Sequence, residues 1–162
     1  MGDVVEVTAK TATLAHKRIE VEDIATAILR FANGALGVIE ATTAAYPGWL
    51  KRIEIHGSDG SARIEEEDVK LWQFAKMTAK DKKIVDSYQN VTQTDGGATD
   101  PAAIGHAGHT AQFKDILKAI KNGTSPAIDG RQGRRSVEII RAIYKSAKTG
   151  KTVSLPLKSD RF

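Results

Sequence analysis

Short strand-like segments separated by tight-turn signals constrain the fold of this chain more than any other feature of its sequence. Residues 5–14 alternate in polarity and are rich in Val and Thr, as half-buried strands are. Asn33-Gly34 and Asp59-Gly60 supply the left-handed conformations that a two-residue hairpin turn requires. Parallel strands would instead need crossovers of about a dozen residues. The pattern therefore predicts an antiparallel meander and not a parallel nucleotide-binding sheet.

Further strand-like segments lie between and after these turns. They comprise residues 23–31, 36–44, 49–56, 62–65, 69–74 and, near the end of the chain, 152–155. Both faces of the second strand are apolar, with Ile24 and Ile28 on one face and Ala27 and Leu29 on the other. A sheet that is apolar on both faces needs a cover on each. We therefore expect helices on one face and an oligomer or domain contact on the other.

Two helices are predicted after the strands. The first has apolar residues at the i, i+3, i+4 and i+7 spacing, namely Phe113, Ile116, Leu117 and Ile120. Asp129 caps the second helix, and Gly150 suits the position after its last turn. Residues 76–107 are polar and weakly periodic, which predicts a long loop with 84–88 as a candidate edge strand. The predicted fold class is α+β: residues 1–162 form a single domain, an open, mostly antiparallel sheet of about six strands with two main helices on one face.

Composition excludes several classes of protein. Hydrophobic and charged fractions of 41% and 27% are ordinary for a globular chain. No apolar run approaches the ~20 residues that span a bilayer, and no signal-peptide pattern opens the chain. The sequence has no cysteine, so it forms no disulfide. We therefore expect a cytoplasmic protein that makes no membrane contact.

Positive charge is concentrated at the end of the chain. Residues 117–162 hold eleven Lys/Arg against three Asp/Glu, a balance of 11 − 3 = +8. A nucleic-acid or anionic-ligand site could use the arginines Arg131, Arg134, Arg135 and Arg141. The alternative is a solvated helix face with cations near its C-terminal dipole. We favour the second and expect no nucleic-acid partner, because no nucleic-acid motif accompanies the charge.

Cofactor and metal sites are not predicted in this chain. A dinucleotide site needs a G-x-G-x-x-G turn between a strand and a helix. The nearest candidates are Gly57 to Gly60, which is better explained as a hairpin, and Gly105 to Gly108, which lacks the spacing. No nucleophile elbow, zinc spacing or kinase signature is present either.

Three segments together resemble one known family. They are IATAILRFANGALGVIEATTAAYPG at 24–48, GHTAQFKDILKAI at 108–120 and DGRQGRRSVEIIRAIYKSA at 129–147. They are similar to the C-terminal half of the Gfo/Idh/MocA family of nicotinamide-dependent sugar and polyol dehydrogenases, over about residues 5–156. The resemblance implies a parent enzyme that passes a hydride between NAD or NADP and a hydroxyl-bearing carbon of a sugar, inositol or related polyol. It also implies a separate Rossmann domain and a homo-oligomer.

The catalytic hallmarks of that family have no counterpart in this sequence. The family's cofactor domain carries a Glu-Lys-Pro sequence, and this chain has no Lys-Pro dipeptide. The family's Asp-x-x-x-His pair is also missing, since by pattern the chain begins a few residues after it. No catalytic residue is therefore carried over, and the domain is expected to be inactive by itself.

Four residues are candidates for substrate binding. His109 and Gln112 are three apart at the start of the first helix, on one face, where they suit a sugar hydroxyl. His106 precedes them, and the resemblance places this Gly-His segment near the domain interface. A helix-capping or packing role for these histidines stays open, whereas a metal role lacks a third ligand. Tyr46 can meet a sugar ring, although we favour a core position beside Trp49.

The other polar candidates are interpreted as surface residues. His16 lies in a connection and His56 ends a strand. The run Glu65 to Asp68 could be an acid/base pair or cation site, but a solvated turn explains it more simply.

Two functions from different classes remain. The first is the substrate-binding and oligomerisation domain of an NAD(P)-dependent sugar or polyol dehydrogenase. The second is a stand-alone protein-binding or assembly module that uses the open sheet face. A fold-level analogy is a weak basis for the reaction class.

Overall fold

The computed structural model describes residues 1–89 and 105–158. Within this part, six strands precede three helices and a short final strand, an α+β arrangement that confirms the predicted fold class. The elements are β1 (Val4–Ala12), β2 (Ile24–Phe31), β3 (Leu36–Thr42), β4 (Arg52–Gly57), β5 (Gly60–Glu65), β6 (Asp68–Phe74), α1 (Ala79–Tyr88), α2 (Ala107–Asn122), α3 (Gly130–Thr149) and β7 (Val153–Ser154).

The strands divide between two antiparallel sheets instead of one. The first sheet has the order β3-β2-β1-β7 and the second the order β4-β5-β6. The chain accordingly forms two compact units, the first comprising Met1–Ala45 with Asp115–Phe162 and the second Tyr46–Lys114. Helix α2 begins in the second unit and ends in the first.

The core of the first unit lies between β1, β2 and α3. Antiparallel pairing sets Val7 opposite Leu29 and Ala9 opposite Ala27, so all four side chains lie on one face of the sheet. Helix α3 covers that face and buries Ala142 and Ile143. Small residues at facing positions let the helix approach the sheet closely.

Ser146 completes the hydrogen bonding of β1 where its partner strand stops. Strand β7 pairs only with Glu6 and Val7. The next outward-facing amide, that of Ala9, donates to Ser146 Oγ at 2.9 Å. The same hydroxyl donates to the Lys151 carbonyl at 2.7 Å. A fully buried polar side chain thus joins α3 to the sheet without an unpaired atom.

Asp23 holds the connection between β1 and β2. Its buried carboxylate accepts the backbone amides of Leu14, Ala15 and His16 at 2.7–2.9 Å. These amides, that of His16 foremost, lower the pKa of Asp23 to about 2. The connection lacks regular structure, and one carboxylate replaces the ladder bonds that a strand would supply.

The turn between β2 and β3 is longer than predicted. The Phe31 amide donates to the Ala35 carbonyl at 2.9 Å, so residues 32–34 form a three-residue turn. Gly34 occupies the left-handed region at φ 89°. The glycine therefore performs the predicted role in a different turn class.

The second unit is built on two hairpins. A hairpin forms at the predicted place, but Gly57 pairs with Gly60, so the two turn residues are Ser58 and Asp59 and not Asp59 and Gly60. Gly60 is the first residue of β5 and does not adopt a left-handed conformation. At Gly60, a Cβ atom would lie 2.5 Å from the Gln73 carbonyl oxygen and would also collide with the Phe74 ring. Only glycine lets β5 and β6 approach this closely.

The turn between β5 and β6 differs from the predicted solvated acidic run. Glu66 adopts φ 51°, which is uncommon for a residue with a side chain. Its amide donates to the Lys51 carbonyl at 2.9 Å, and its carboxylate forms an ion pair with the Lys51 ammonium. This ion pair lowers the pKa of Glu66. Asp68 is buried and lies 2.7 Å from the Lys70 ammonium, so two of the four acids are structural.

Helix α1 (Ala79–Tyr88) lies within the segment predicted as a long loop. The loop prediction is therefore wrong over these residues, and so is the predicted edge strand at 84–88. Thr78 and Asp81 form a capping box, with the Thr78 amide 2.8 Å from the Asp81 carboxylate. The same carboxylate accepts Trp72 Nε1 at 3.0 Å and so joins α1 to β6. These donors, the Thr78 hydroxyl foremost, lower the pKa of Asp81. The part of the predicted loop at 90–104 lies outside the described residues.

Candidate functional site

His109 and Gln112 meet at the start of α2, as their spacing predicts. His109 Nδ1 and Gln112 Oε1 are 3.1 Å apart, and both side chains are exposed. If Nδ1 carries the proton, the pair keeps a free acceptor at His109 Nε2 and free donors on the Gln112 amide. If the Gln112 amide is turned over, its nitrogen donates to His109 Nδ1. The pair then keeps a free donor at His109 Nε2 and a free acceptor at Gln112 Oε1. Either form offers one donor and one acceptor, which is the set that a hydroxyl group requires.

His106 lies at the position that begins α2. Its backbone carbonyl accepts the Thr110 amide at 2.9 Å, which is the first bond of the helical ladder. Its side chain is exposed. The residue therefore caps the helix through its main chain and leaves its imidazole available.

Tyr46 lies on the surface of the second unit. Its side chain is 98% exposed, and the neighbouring Trp49 is exposed as well. The interpretation of Tyr46 as a core residue is therefore wrong, because nothing in the described chain covers either ring. No hydrogen bond or ring contact within residues 1–89 and 105–158 joins Tyr46 to His109.

The two glycine segments considered for a dinucleotide cofactor have other roles in the fold. The pyrophosphate of such a cofactor binds at a glycine turn that leads from a strand into a helix. Gly57 and Gly60 instead pair across a hairpin between two strands. Gly108 lies within α2, where its backbone is already helical. Neither segment shows, within the described residues, a glycine turn that leads from a strand into a helix.

A second polar cluster lies on β4 and β5 and was not predicted as a site. His56 Nδ1 is 3.0 Å from Ser61 Oγ, and His56 Nε2 is 3.8 Å from a Glu54 carboxylate oxygen. The three residue types are those of a hydrolytic triad, but Nδ1 and not Nε2 faces the serine, and the His56 side chain is 68% exposed. His56 is thus a surface residue, as predicted, and Ser61 is no activated nucleophile. The alternation of the strand was the only sequence signal that could have placed these side chains together.

The uncovered face of the first sheet combines apolar and charged residues. Ile28 and Val38 lie opposite one another on β2 and β3 and are both exposed. Beside them, Arg30 Nε donates to Glu6 at 2.7 Å, which lowers the pKa of Glu6. The predicted apolar character of this face is therefore present on its β2–β3 side.

Metal-binding clusters and membrane-spanning helices are both absent from the described ranges. Across residues 1–89 and 105–158, no group of three or more His, Asp, Glu or Cys side chains could hold a metal ion. Over the same part of the chain, no helix is long and apolar enough to cross a bilayer.

Known proteins match this chain over nearly its whole length. Two crystal structures of WlbA dehydrogenases in complex with NADH and UDP-GlcNAcA are similar to it. The one from Bordetella pertussis is 32% identical with a TM-score of 0.80, over 97% of this chain and 43% of that chain. The one from Chromobacterium violaceum is 32% identical with a TM-score of 0.76, over 98% of this chain and 42% of that one. The myo-inositol 2-dehydrogenase of Thermotoga maritima is 26% identical over 140 residues, 82% of this chain and 36% of the relative.

The chain therefore spans less than half the length of these relatives. The model of the oxidoreductase family C-terminal α/β domain matches residues 1–155. That match covers almost all of the chain, and the structural similarity agrees with it. The chain belongs to the C-terminal domain family of the Gfo/Idh/MocA oxidoreductases.

Proposed function

We propose that this chain is the substrate-binding and oligomerisation domain of an NAD(P)-dependent sugar or polyol dehydrogenase. The observation that carries the proposal is the exposed His109–Gln112 pair on a domain of this family. The pair has the donor and the acceptor that one sugar hydroxyl needs. Family membership alone would be a weaker basis, because one fold serves many substrates.

The substrate that we favour is a nucleotide-linked sugar. Two of the similar structures, both at 32% identity, hold UDP-GlcNAcA together with NADH. The myo-inositol 2-dehydrogenase is less similar, at 26% identity. In this proposal His109 and Gln112 bind a hydroxyl of the sugar ring. His106 and Tyr46 are further candidates for substrate contact, because both side chains are exposed.

The cofactor, NAD or NADP, belongs to another part of the parent enzyme in this proposal. Hydride transfer is the chemistry of the nicotinamide, and side chains cannot supply it. The two glycine segments that the sequence offered form a hairpin and the start of a helix, which supports this assignment. We therefore propose that the chain alone has no dehydrogenase activity. The lack of cysteine suits the cytoplasm, which is the location we propose.

The open face of the first sheet is the proposed oligomer contact. Val38 is 72% exposed there, and Leu36 and Ile28 are exposed beside it. A charge at that centre should oppose burial against a second copy. We expect Val38→Glu to lower the mass measured by sedimentation towards the monomer. An unchanged mass for an already oligomeric protein would place the contact elsewhere.

A stand-alone assembly module is the second candidate function. It would use the same sheet face for a protein partner and would need no cofactor half. The substrate pair distinguishes the two functions, since a module has no use for His109.

The experiment that tests the proposed site is His109→Ala in the intact parent. We expect the KM for the sugar substrate to rise, or kcat to fall, by about tenfold or more, as the loss of one polar contact predicts. His56→Ala is the matched control, because that histidine is equally polar and exposed but lies on the β4–β5 hairpin. Unchanged kcat and KM in the His109 variant would remove the residue from the site.

A further inference from the structure

Strand β4 lies at the edge of the second sheet, whose order is β4-β5-β6. All of its residues are exposed. Within the part of the chain that the structure describes, β4 pairs with β5, and no further backbone–backbone hydrogen bond reaches residues 52–57. A free strand edge is a template for pairing with another strand. The outer edge of β4 can therefore accept one.

The hairpin register shows which backbone groups of β4 are free. Gly57 and Gly60 flank a two-residue turn, so they exchange hydrogen bonds with each other. Along an antiparallel ladder such pairs alternate with pairs that make no hydrogen bond. The odd-numbered residues of β4 therefore direct their amides and carbonyls towards β5. The even-numbered residues, Arg52, Glu54 and His56, direct theirs outward.

Lys51 continues this alternation just before β4. Its amide donates to Glu66 Oε1 at 3.1 Å, and its carbonyl accepts the Glu66 amide at 2.9 Å. Both groups thus face the β5–β6 turn, as those of an odd-numbered residue should. The ladder between β4 and β5 has no register shift, and β4 contains no proline. Neither a bulge nor a proline therefore blocks the outer edge.

The side chains of β4 alternate between isoleucine and polar residues. Ile53 and Ile55 share one face and are 62% and 48% exposed. On the other face, Arg52 Nε lies 3.5 Å from Glu54 Oε1, and Glu54 Oε2 lies 3.8 Å from His56 Nε2. A positive and a negative side chain thus lie two residues apart on the same face of one edge strand.

Antiparallel pairing of β4 with β4 of a second copy matches these charges in one register. If Ile53 lies opposite Ile53 of the second copy, each Arg52 lies opposite the other copy's Glu54, on the same face of the joined sheet. Each carboxylate then has one guanidinium beside it on its own strand and another across the contact. Since residues 52 and 54 both direct their backbone groups outward, they also form the hydrogen-bonded pairs of this ladder.

The alternative registers match the charges less well. A pair centred on Glu54 would set two carboxylates directly opposite one another, which is destabilising. A pair centred on Ile55 would set Glu54 opposite His56, which is charged only when protonated, and would leave Arg52 opposite Ser58. The edge strand β3 of the first sheet carries a single charged residue, Glu40, so it offers no self-complementary pattern.

We propose that β4 is a self-association edge, which pairs antiparallel with β4 of a second copy about a two-fold axis at Ile53. The contact joins two three-stranded sheets into one of six strands and uses the same residues from both copies, as a two-fold contact must. It goes beyond the proposed function, since it uses other residues than the open face of the first sheet and does not depend on the substrate.

Disulfide crosslinking in the full chain tests the register, because the chain has no cysteine of its own. Ile53→Cys sets two thiols opposite one another in a pair without hydrogen bonds, with Cα atoms about 4.5 Å apart, a distance that a disulfide can span. Ile55→Cys is the matched control, because this isoleucine is exposed on the same face of the same strand but would lie opposite Lys51 of the second copy. Non-reducing electrophoresis after mild oxidation measures the dimer that forms.

We expect Ile53→Cys to form the disulfide dimer at least about fivefold faster than Ile55→Cys. Equal rates would indicate random collision of exposed thiols and would overturn the proposal. A faster reaction of Ile55→Cys would overturn the register, and with it the pairing of Arg52 with Glu54. Failure of both variants to crosslink would show that this edge does not self-associate.

Charge exchange tests the same contact through its ionic pairs. In the Ile53→Cys background, Arg52→Glu sets carboxylates opposite one another, and we expect crosslinking to slow by at least about fivefold. Adding Glu54→Arg exchanges the two charges and should restore most of the rate. Circular dichroism checks that both variants fold, which is expected because both positions are exposed. A single reversal without effect, or an exchange that restores nothing in a folded protein, would overturn the proposal.

Val38→Glu separates this contact from the proposed contact of the first sheet. Added to Ile53→Cys, it should leave the rate of crosslinking unchanged, because Val38 lies on β3 and not on β4. Loss of the crosslink would show that the β4 edge is no contact of its own and would overturn the inference. A parent that crosslinks through Ile53→Cys but reduces no nicotinamide would refute the proposed function and leave the β4 contact standing.

Discussion

Single polar residues hold the parts of this domain that have no regular hydrogen-bond ladder. Asp23 serves the connection between β1 and β2, and Ser146 serves the end of β1 that β7 does not reach. Neither role was predicted, because the amides that bind Asp23 come from residues 14–16, which follow no periodic pattern. Local hydrogen bonds of this type depend on how the chain turns back on itself, which composition and period do not specify.

The depressed pKa of Asp23 makes its contribution to stability depend on pH. The folded-state pKa is about 2 against an ordinary value of 3.8, so folding favours the ionised form. The contribution is fully present above the ordinary pKa and is lost as the pH falls towards the folded-state value.

We therefore expect Asp23→Asn to destabilise the domain near neutral pH and to matter progressively less as the pH falls from about 4 to about 2. The measurement is the free energy of urea unfolding of both proteins across this range. Comparing the two proteins cancels the titration of Glu6, Glu66 and Asp81, whose pKa values are also lowered. A difference that stayed constant down to pH ~2 would contradict this account of Asp23.

Sequence patterns predicted most of the elements, and their failures have identifiable causes. Strands and hairpins were recognised because alternation and Asx-Gly turns are local signals. Helix α1 was missed because it lies in a polar segment and buries no residue. Its only signal was the capping box of Thr78 and Asp81. Helix α2 was recognised, but its apolar stripe, which includes Leu117 and Ile120, is exposed, and a periodic pattern cannot say which body covers it.

Gly60 provides a test at the scale of a strand pair. Gly60→Ala places a methyl group against the Gln73 carbonyl and the Phe74 ring, so β5 and β6 have to separate. We expect a loss of about 1–3 kcal/mol in the free energy of unfolding, as for other overpacked sites.

Gly57→Ala is the matched control for this prediction. Gly57 lies opposite Gly60 in the same hairpin, but the nearest atom to its added Cβ would be at an ordinary 3.6 Å. We expect a change within about 0.5 kcal/mol. Chemical denaturation followed by tryptophan fluorescence measures both variants. Equal stability of the two variants would show that the close approach at Gly60 is not required.

At the scale of the whole molecule, two surfaces have separate proposed roles. We propose that the His109–Gln112 pair binds the sugar and that the open sheet face meets a second copy. The sequence indicated the pair and the sheet face through spacing and alternation. It did not distinguish the domain contact from the oligomer contact, because both appear in a sequence only as surplus apolar residues.

The central claim is that this chain binds the substrate for a dehydrogenase whose nicotinamide is held elsewhere. The most direct measurement is the substrate-dependent reduction of NAD and NADP by this chain alone and by the intact parent, using the same set of nucleotide sugars and polyols. The account predicts reduction by the parent and none above the blank by the chain alone. Reduction by the chain alone, or a parent that reduces neither nucleotide with any of these substrates, would contradict it.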